Sequence, residues 1–318
     1  MTSGSSVLVF GGTGLLGAPL SLRLAERGHR VWAASRTQRF TGSTSIRSVQ
    51  CDVSKVGVAR ALLQEIKPAW AINCAAVTSV DACELGGLAE RVNAEWPREL
   101  AAAAASAGVR CVHISTDSVF ARQPGQPEPR EDDPPNPLNA YARQKAQAEK
   151  AVLETSNREA LVVRTNFFGW SPVPERGLAT WALRELRNGR RIRGFADVFF
   201  NPLYTGDAVD LLIELLDGGA KGVIHLLGAQ CLSKSSFVRN LAETFSVDPG
   251  LIDEGLLRES KLEAPRPFNT CLATTRLKET LGRKPPGAPE GLARMLSDET
   301  SVRSELAMLE EYPDRGKR

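Results

Sequence analysis

Short apolar runs alternate with longer stretches of helical periodicity over residues 6–170, the pattern of parallel strands joined by crossover helices. Val7-Leu8-Val9-Phe10 reads as the first strand, and a helix follows with Leu16, Leu20 and Leu24 on one stripe, closing near Gly28. Val31-Trp32-Ala33-Ala34 is the second strand and Ser48-Val49-Gln50-Cys51 a short third. A helix carrying Ala61, Leu62 and Ile66 leads to a fourth, Trp70-Ala71-Ile72-Asn73. An alanine-rich helix stopping near Gly108 precedes the fifth, Cys111-Val112-His113-Ile114, and Leu161-Val162-Val163-Arg164 is a sixth. Strands this uniformly apolar are covered on both faces. The expectation is an α/β fold built on a doubly wound parallel sheet.

Beyond residue 170 the pattern loosens. Pro172 and Pro174 are followed by a helix near 178–188 that stops at Gly189, then a short strand around Arg190–Arg193. A helix at 207–216 and the run Val223-Ile224-His225-Leu226 are predicted to return to the main sheet. A helix starting near Ser233 and a proline-rich stretch at 265–289 read as a smaller C-terminal α/β substrate lobe. The charged tail after about 297 reads as a peripheral helix or a frayed end. The division expected is 1–170 with 205–228 in a cofactor-binding domain, and 171–204 with 229–318 in the lobe. Between the fifth strand and the next helix lies the loop ARQPGQPEPREDDPPNPLN, where Pro137 bars early helix entry and Asn139 suits an N-cap. Its length suggests a rim or lid over a substrate.

Composition narrows the classes without choosing among them. The 318 residues are 42% hydrophobic and 24% charged, ordinary for a globular enzyme with a sizeable core. A net charge of +3 is too slight to argue for nucleic acid or a membrane surface. Six cysteines show no C-x-x-C pair, and Cys51, Cys74 and Cys111 read as small buried hydrophobes. His29, His113 and His225 lack metal-ligand spacing, so no metal site is expected. The start MTSGSS shows no secretory signal and no apolar run reaches membrane-spanning length, so a reducing cytoplasm is the expected setting.

Chemistry enters with the glycines. Gly11, Gly14 and Gly17 follow a strand and open a helix, with Thr13, Leu15 and Leu16 between them. The first permits a tight turn, the second lets backbone approach a pyrophosphate, and the third allows close packing, so a dinucleotide is expected on a Rossmann-type sheet. Ser35 and Arg36 end strand two where an acidic residue would hold adenosine ribose hydroxyls; a guanidinium suits a 2′-phosphate, favouring NADPH over NADH. Asp52, beside Val53, reads as an acceptor for the adenine amine or as a helix N-cap. Cys74, Ala75 and Ala76 end strand four with small side chains that admit a ribose and nicotinamide. Tyr141 and Lys145 lie one helical turn apart, so the ammonium is expected to lower the phenol pKa, while Thr116 holds the substrate oxygen that Tyr141 protonates. Arg184, Arg187, Arg190, Arg191 and Arg193 read either as a diphosphate site or as a solvated face.

The segments GGTGLLG, CDV, NCAAVTSVDACE, VNAEWP, HISTDSVF, EDDPPNPLNAYARQK, VVRTNFFG and NPLYTGDAVDLL resemble, in this order, the extended short-chain dehydrogenase/reductases, and most closely those that reduce dTDP-4-dehydrorhamnose. The resemblance spans roughly 7–295 and is dense to 165. It implies NAD(P)H, a catalytic set matched by Thr116, Tyr141 and Lys145, and a keto-sugar facing Thr78, Val80, Asp117, Ser118, Asn166 and Phe167. Ser118 stands where those reductases often have Tyr, and Phe167 where they often have Trp, which implies a different sugar pocket. Pro19 replaces an acidic residue of a metal-bridged dimer known in some members, leaving a homodimer of another kind open. Related dehydratases carry Thr-Asp-Glu at this strand end, and Ser118 cannot serve as their base. Two rival readings are a nucleotide-sugar epimerase that retains its cofactor, and a non-catalytic NADP-binding subunit resembling the methionine adenosyltransferase regulatory one.

Overall fold

The structure is a computed structural model that describes all residues except 2–3, 43–44, 124, 173–176 and 313–318, so Pro174 lies outside the described residues. In chain order the first half comprises β1 (Ser6–Phe10), α1 (Gly17–Glu26), β2 (Arg30–Ser35), β3 (Gln38–Phe40), β4 (Ile46–Gln50), α2 (Val58–Ile66), β5 (Trp70–Asn73) and α3 (Val80–Glu84). Then α4 (Leu88–Glu90) runs through a π-helical turn into α5 (Trp96–Ala107), followed by β6 (Arg110–Thr116), α6 (Ala140–Thr155) and β7 (Leu161–Thr165). The second half holds β8 (Phe167–Phe168), α7 (Leu178–Arg187), β9 (Ile192–Phe195), β10 (Phe199–Phe200), β11 (Leu203–Tyr204), α8 (Thr205–Asp217) and β12 (Gly222–Leu226). It ends with β13 (Leu232–Ser233), α9 (Lys234–Thr244), β14 (Ile252–Gly255), α10 (Thr275–Leu281), α11 (Ala288–Ser297), α12 (Glu299–Leu306) and β15 (Leu309–Glu311).

Seven strands form one parallel sheet in the order β12-β7-β6-β5-β1-β2-β4, the doubly wound arrangement expected. Strand alternation explains its two covers. Val7 and Val9 point into a layer with Leu20, Leu24, Leu212 and Leu216 of α1 and α8. Leu8 and Phe10 point the other way, into Leu63, Trp96 and Leu100 of α2 and α5. Phe10 meets Trp96 edge to face at 4.9 Å. A separate apolar cluster gathers Phe168, Trp170, Leu183, Phe200, Phe237, Leu241 and Met295 from the second half.

Several expectations need correction. The tail takes the helical one of its two readings, as α12, and then adds β15, which pairs antiparallel with β3, a strand that local periodicity did not reveal. A three-residue strand has no pattern of its own, and its partner stands some 270 residues away, as Leu309 opposite Phe40. The strand predicted from Arg190 begins at Ile192. Cys231 and Cys271 form a disulfide, which the reading of a reducing setting did not foresee. Cys51 and Cys111 are buried free thiols as expected, but Cys74 is half-exposed. Among the described residues, no helix is long and apolar enough to cross a membrane and no His/Cys/Asp/Glu cluster suits a metal.

Candidate active site

Gly11 turns the chain out of β1 with φ +72°, and a Cβ there would lie 2.8 Å from the Ala75 nitrogen. The first turn of α1 packs as tightly: a Cβ on Gly17 would overlap the Gly11 carbonyl oxygen. Glycine is required at both positions, and together they press the end of β1 against Cys74 and Ala75. No side chain caps α1; Ala18 N–H donates to the Gly14 carbonyl oxygen at 2.9 Å, Leu20 N–H to that of Leu16 at 3.1 Å and Pro19 has no N–H, so the positive end of the helix dipole is what α1 offers a pyrophosphate. Thr13 and Leu16 are buried, Leu15 is half-exposed and Gly14 is exposed. The residues present fit a dinucleotide.

At the adenosine end, Arg36 is exposed while Ser35 is buried and donates to the Gln38 carbonyl oxygen. The Ser35 hydroxyl therefore shapes the turn into β3. Asp52 accepts from the Ser54 nitrogen at 3.0 Å and hydroxyl at 2.7 Å, which holds its pKa low, so it caps a turn rather than α2. Val53 is half-buried against the α2 layer.

The chemical centre forms where β6 ends and α6 begins. Asn139 caps α6, accepting from the Ala142 nitrogen at 2.9 Å, and so aims Tyr141 from the first turn. Burial raises the Tyr141 pKa, against a hydrogen-bonding contribution from the Thr116 hydroxyl. The expected lowering by Lys145 does not appear in this arrangement. Instead the Lys145 ammonium nitrogen lies 2.7 Å from the Ile114 carbonyl oxygen and 3.2 Å from His113 Nε2. Burial lowers its own pKa to about 8, against the attraction of Glu149 and Cys74. Lys145 thus stays mainly charged at neutral pH, next to the turn residue Cys74.

A polar chain fixes that lysine. Asn73 Oδ1 accepts from Trp96 Nε1 at 3.1 Å and from the Ala75 nitrogen at 3.2 Å, so its amide nitrogen donates to His113 Nδ1 at 3.1 Å. The other ring nitrogen, Nε2, faces the Lys145 nitrogen at 3.2 Å. Burial, followed by the Lys145 charge, keeps His113 neutral. Beneath, Glu149 and Arg164 form a buried pair at 2.8 Å, and Ser115 donates to Glu149. Sequence reading missed His113, Asn73, Glu149 and Arg164. The available signal was polar side chains inside otherwise apolar strand and helix faces.

Asp117 is buried, with both oxygens engaged. Oδ1 accepts from the Thr116 and Ser118 hydroxyls at 3.1 Å each, and Oδ2 from Asn166 Nδ2 at 2.8 Å and the Thr270 hydroxyl at 2.6 Å. These four bonds tie it to the ends of β6 and β7 and to Thr270. Ser118, Asn166 and Phe167 are half-exposed around this carboxylate, as is Val80 on α3, while Thr78 is exposed. Thr270 and Lys234 join them from the second half, with no warning in the sequence. The Lys234 ammonium lies 3.7 Å from the Phe200 ring centroid, and burial lowers its pKa to about 8 against the charge of Asp117.

Two expected features resolve differently. The five arginines of 184–193 are all ion-paired: Arg184 and Arg190 with Glu185, Arg187 with Glu299, Arg191 with Asp253 and Arg193 with Glu259. They form a solvated face, not a diphosphate site. The proline-rich loop is tied down by Arg122 N–H donating to the Asn269 carbonyl at 3.1 Å, by Asn136 N–H to Val119 at 3.0 Å, and by Arg276 against Glu131 and Asp132. A cavity of about 230 Å³ between Pro19, Arg23, Tyr204 and Arg294 touches none of the site residues.

The glycine turn, the Thr116 strand end and the Tyr141–Lys145 helix on this sheet define a class, the extended short-chain dehydrogenase/reductase type. Residues 5–301 match the RmlD substrate binding domain, and the chain belongs to that family. It is 30% identical over 293 residues to a probable low-salt glycan biosynthesis reductase of Haloferax volcanii, covering 90% of this chain and 96% of that one. It is 37% identical over 277 residues to the dTDP-4-dehydrorhamnose reductase of Streptomyces griseus, covering 85% and 86%. Among solved structures, the dTDP-4-dehydrorhamnose reductase of Bacillus anthracis in complex with NADP superposes with a TM-score of 0.80 at 25% identity, covering 92% of this chain and 99% of that one.

Proposed function

We propose that the chain reduces a ketone on a nucleotide-linked sugar, using NADPH. The observation that carries this reading is the meeting of the Thr116 hydroxyl and the Tyr141 phenol at the sheet edge that also carries the glycine turn. Gly11, Gly17 and the uncapped start of α1 hold the pyrophosphate, while Cys74, Ala75 and Ala76 leave room for ribose and nicotinamide. When bound, the cofactor supplies a hydride to the carbonyl carbon.

The chain's own residues handle the proton. Burial keeps the Tyr141 phenol protonated, so it stands ready as an acid. As negative charge develops on the substrate oxygen, that oxygen becomes a far stronger base than phenolate, and the proton moves to it. Such general-acid assistance is worth roughly 10²–10⁴ in rate. Thr116 orients the carbonyl by turning its hydroxyl proton from Asp117, which Ser118, Asn166 and Thr270 still hold, to the substrate oxygen. Lys145, its nitrogen held at Ile114 and next to Cys74, holds the nicotinamide ribose.

Reduction is favoured over dehydration because Ser118 provides no base at the strand end, and over a non-catalytic role because Thr116, Tyr141 and Lys145 are all present; net consumption of NADPH separates it from epimerisation. Incubating the purified chain with NADPH and a panel of nucleotide keto-sugars tests this. Stoichiometric loss of NADPH absorbance that disappears in Tyr141→Phe is expected. Isomerisation of the sugar with no net NADPH consumption would point to the epimerase instead.

A further inference from the structure

The C-terminal strand reaches the adenosine end of the cofactor site, outside the stretch of chain that matches the family. Register places Glu310 opposite Arg39, and the Tyr312 nitrogen donates to the Thr37 carbonyl at 2.8 Å. Side chains two apart on a strand share a face, so Tyr312 projects on the side where Arg39 meets Glu310. There its phenol comes beside the Ser35 hydroxyl, the Arg39 guanidinium and Cys51, at the ends of β2 and β4. This is the strand end where a Rossmann sheet reads the adenosine ribose.

Two polar atoms at this place are shut off from solvent and have no hydrogen-bond partner: Tyr312 Oη and Arg39 Nε. Ser35 lies beside the phenol, but the two hydroxyls make no hydrogen bond of good geometry. Buried polar groups in native proteins are nearly always paired, so orphans that converge call for a missing acceptor. Among the described residues the carboxylate paired with Arg39 is Glu310, which stands 3.8 Å away and is largely exposed, a weak competitor. Exposed Arg36 lies on the same segment.

We infer that Arg39 and Tyr312, together with Arg36, form the pocket for the 2′-phosphate of NADP, so that the C-terminal strand completes the cofactor site. A phosphate monoester offers three acceptor oxygens, enough to take the Arg39 Nε–H and the Tyr312 O–H while facing Arg36. The inference rests on the NADP reading but not on the identity of the sugar.

The test measures binding of NADPH and NADH to the full chain by fluorescence titration, with no sugar present. Tyr312→Phe keeps the ring and removes only the hydroxyl; Arg39→Gln removes the fork. Each is expected to weaken NADPH about tenfold, the worth of one hydrogen bond to a charged group, and to leave NADH unchanged. Inhibition of NADPH binding by 2′,5′-ADP should weaken in parallel, while 5′-AMP is unaffected. Equal losses for NADPH and NADH would reduce the two residues to structural support and overturn the inference. No change would overturn it too. Tighter NADPH binding in Tyr312→Phe would show instead that the tail obstructs the pocket. Failure of every keto-sugar tried would sink the reductase reading and leave this result standing.

Discussion

Replacing Lys145 by Met separates what the lysine costs the fold from what it gives the chemistry. The side chain is buried, and burial lowers its pKa from 10.5 to about 8. Below about pH 8 the native protein carries that charge in an unfavourable place. Between there and 10.5 the unfolded chain still holds the proton that the native state has released, so stability rises with pH. At about 1.4 kcal/mol per pH unit across that window, wild type gains about 2.5 kcal/mol from this group between pH 7 and pH 10. Met keeps most of the stem's packing and titrates nowhere. The absolute offset between the two proteins includes the lost bonds to Ile114 and His113, each about 1 kcal/mol, so the informative quantity is how the difference changes. Urea unfolding of both proteins at pH 7 and pH 10 measures it, since every other titrating group is common to the pair. The stability of wild type relative to Lys145→Met should rise by about 2.5 kcal/mol, while the variant has lost activity at both pH values. A pH-independent difference, or one that shrinks as pH rises, would refute a buried lysine with its pKa lowered to about 8.

Other consequences follow from the same network. Glu149→Gln leaves the Arg164 guanidinium buried without its carboxylate and should destabilise the protein by about 3–5 kcal/mol in denaturant melts. Thr270→Val removes one of four donors to Asp117 and should cost about 1–3 kcal/mol, with a rise in KM as Asn166 and Ser118 loosen. With Ser118 and Phe167 in place of the Tyr and Trp common among dTDP-4-dehydrorhamnose reductases, that sugar should be a poor substrate; kcat/KM above about 10⁴ M⁻¹s⁻¹ would show the pocket accepts it.

Legibility followed from periodicity and local chemistry. β1, β5 and β12 fell close to their predicted limits because each is a short apolar run between turn residues, and the Asn139 cap was readable because its acceptor serves a nitrogen three residues on. The glycines at 11 and 17 carried their reason in the sequence, and the structure adds the atoms a side chain would strike. What stayed hidden depends on distant pairing. Thr270 reaches Asp117 across 153 residues, β15 finds β3 across the whole chain, and Cys231 meets Cys271 from a separation of 40. The electrostatics were hidden for the same reason. Spacing alone put Lys145 beside Tyr141, whereas burial against β6 turns its nitrogen toward Ile114 and His113.

The central claim is ketone reduction with Tyr141 as the acid, and one measurement addresses it directly. NADPH deuterated at the transferring C4 position is incubated with the nucleotide keto-sugar that turns over, and the product is examined by NMR for both wild type and Tyr141→Phe. The account predicts one deuterium on the carbon that gains the new hydroxyl, one NADPH consumed per product, and turnover in Tyr141→Phe lower by about 10²–10⁴ with cofactor binding intact. Product without deuterium at that carbon, or near-native turnover in Tyr141→Phe, would contradict it.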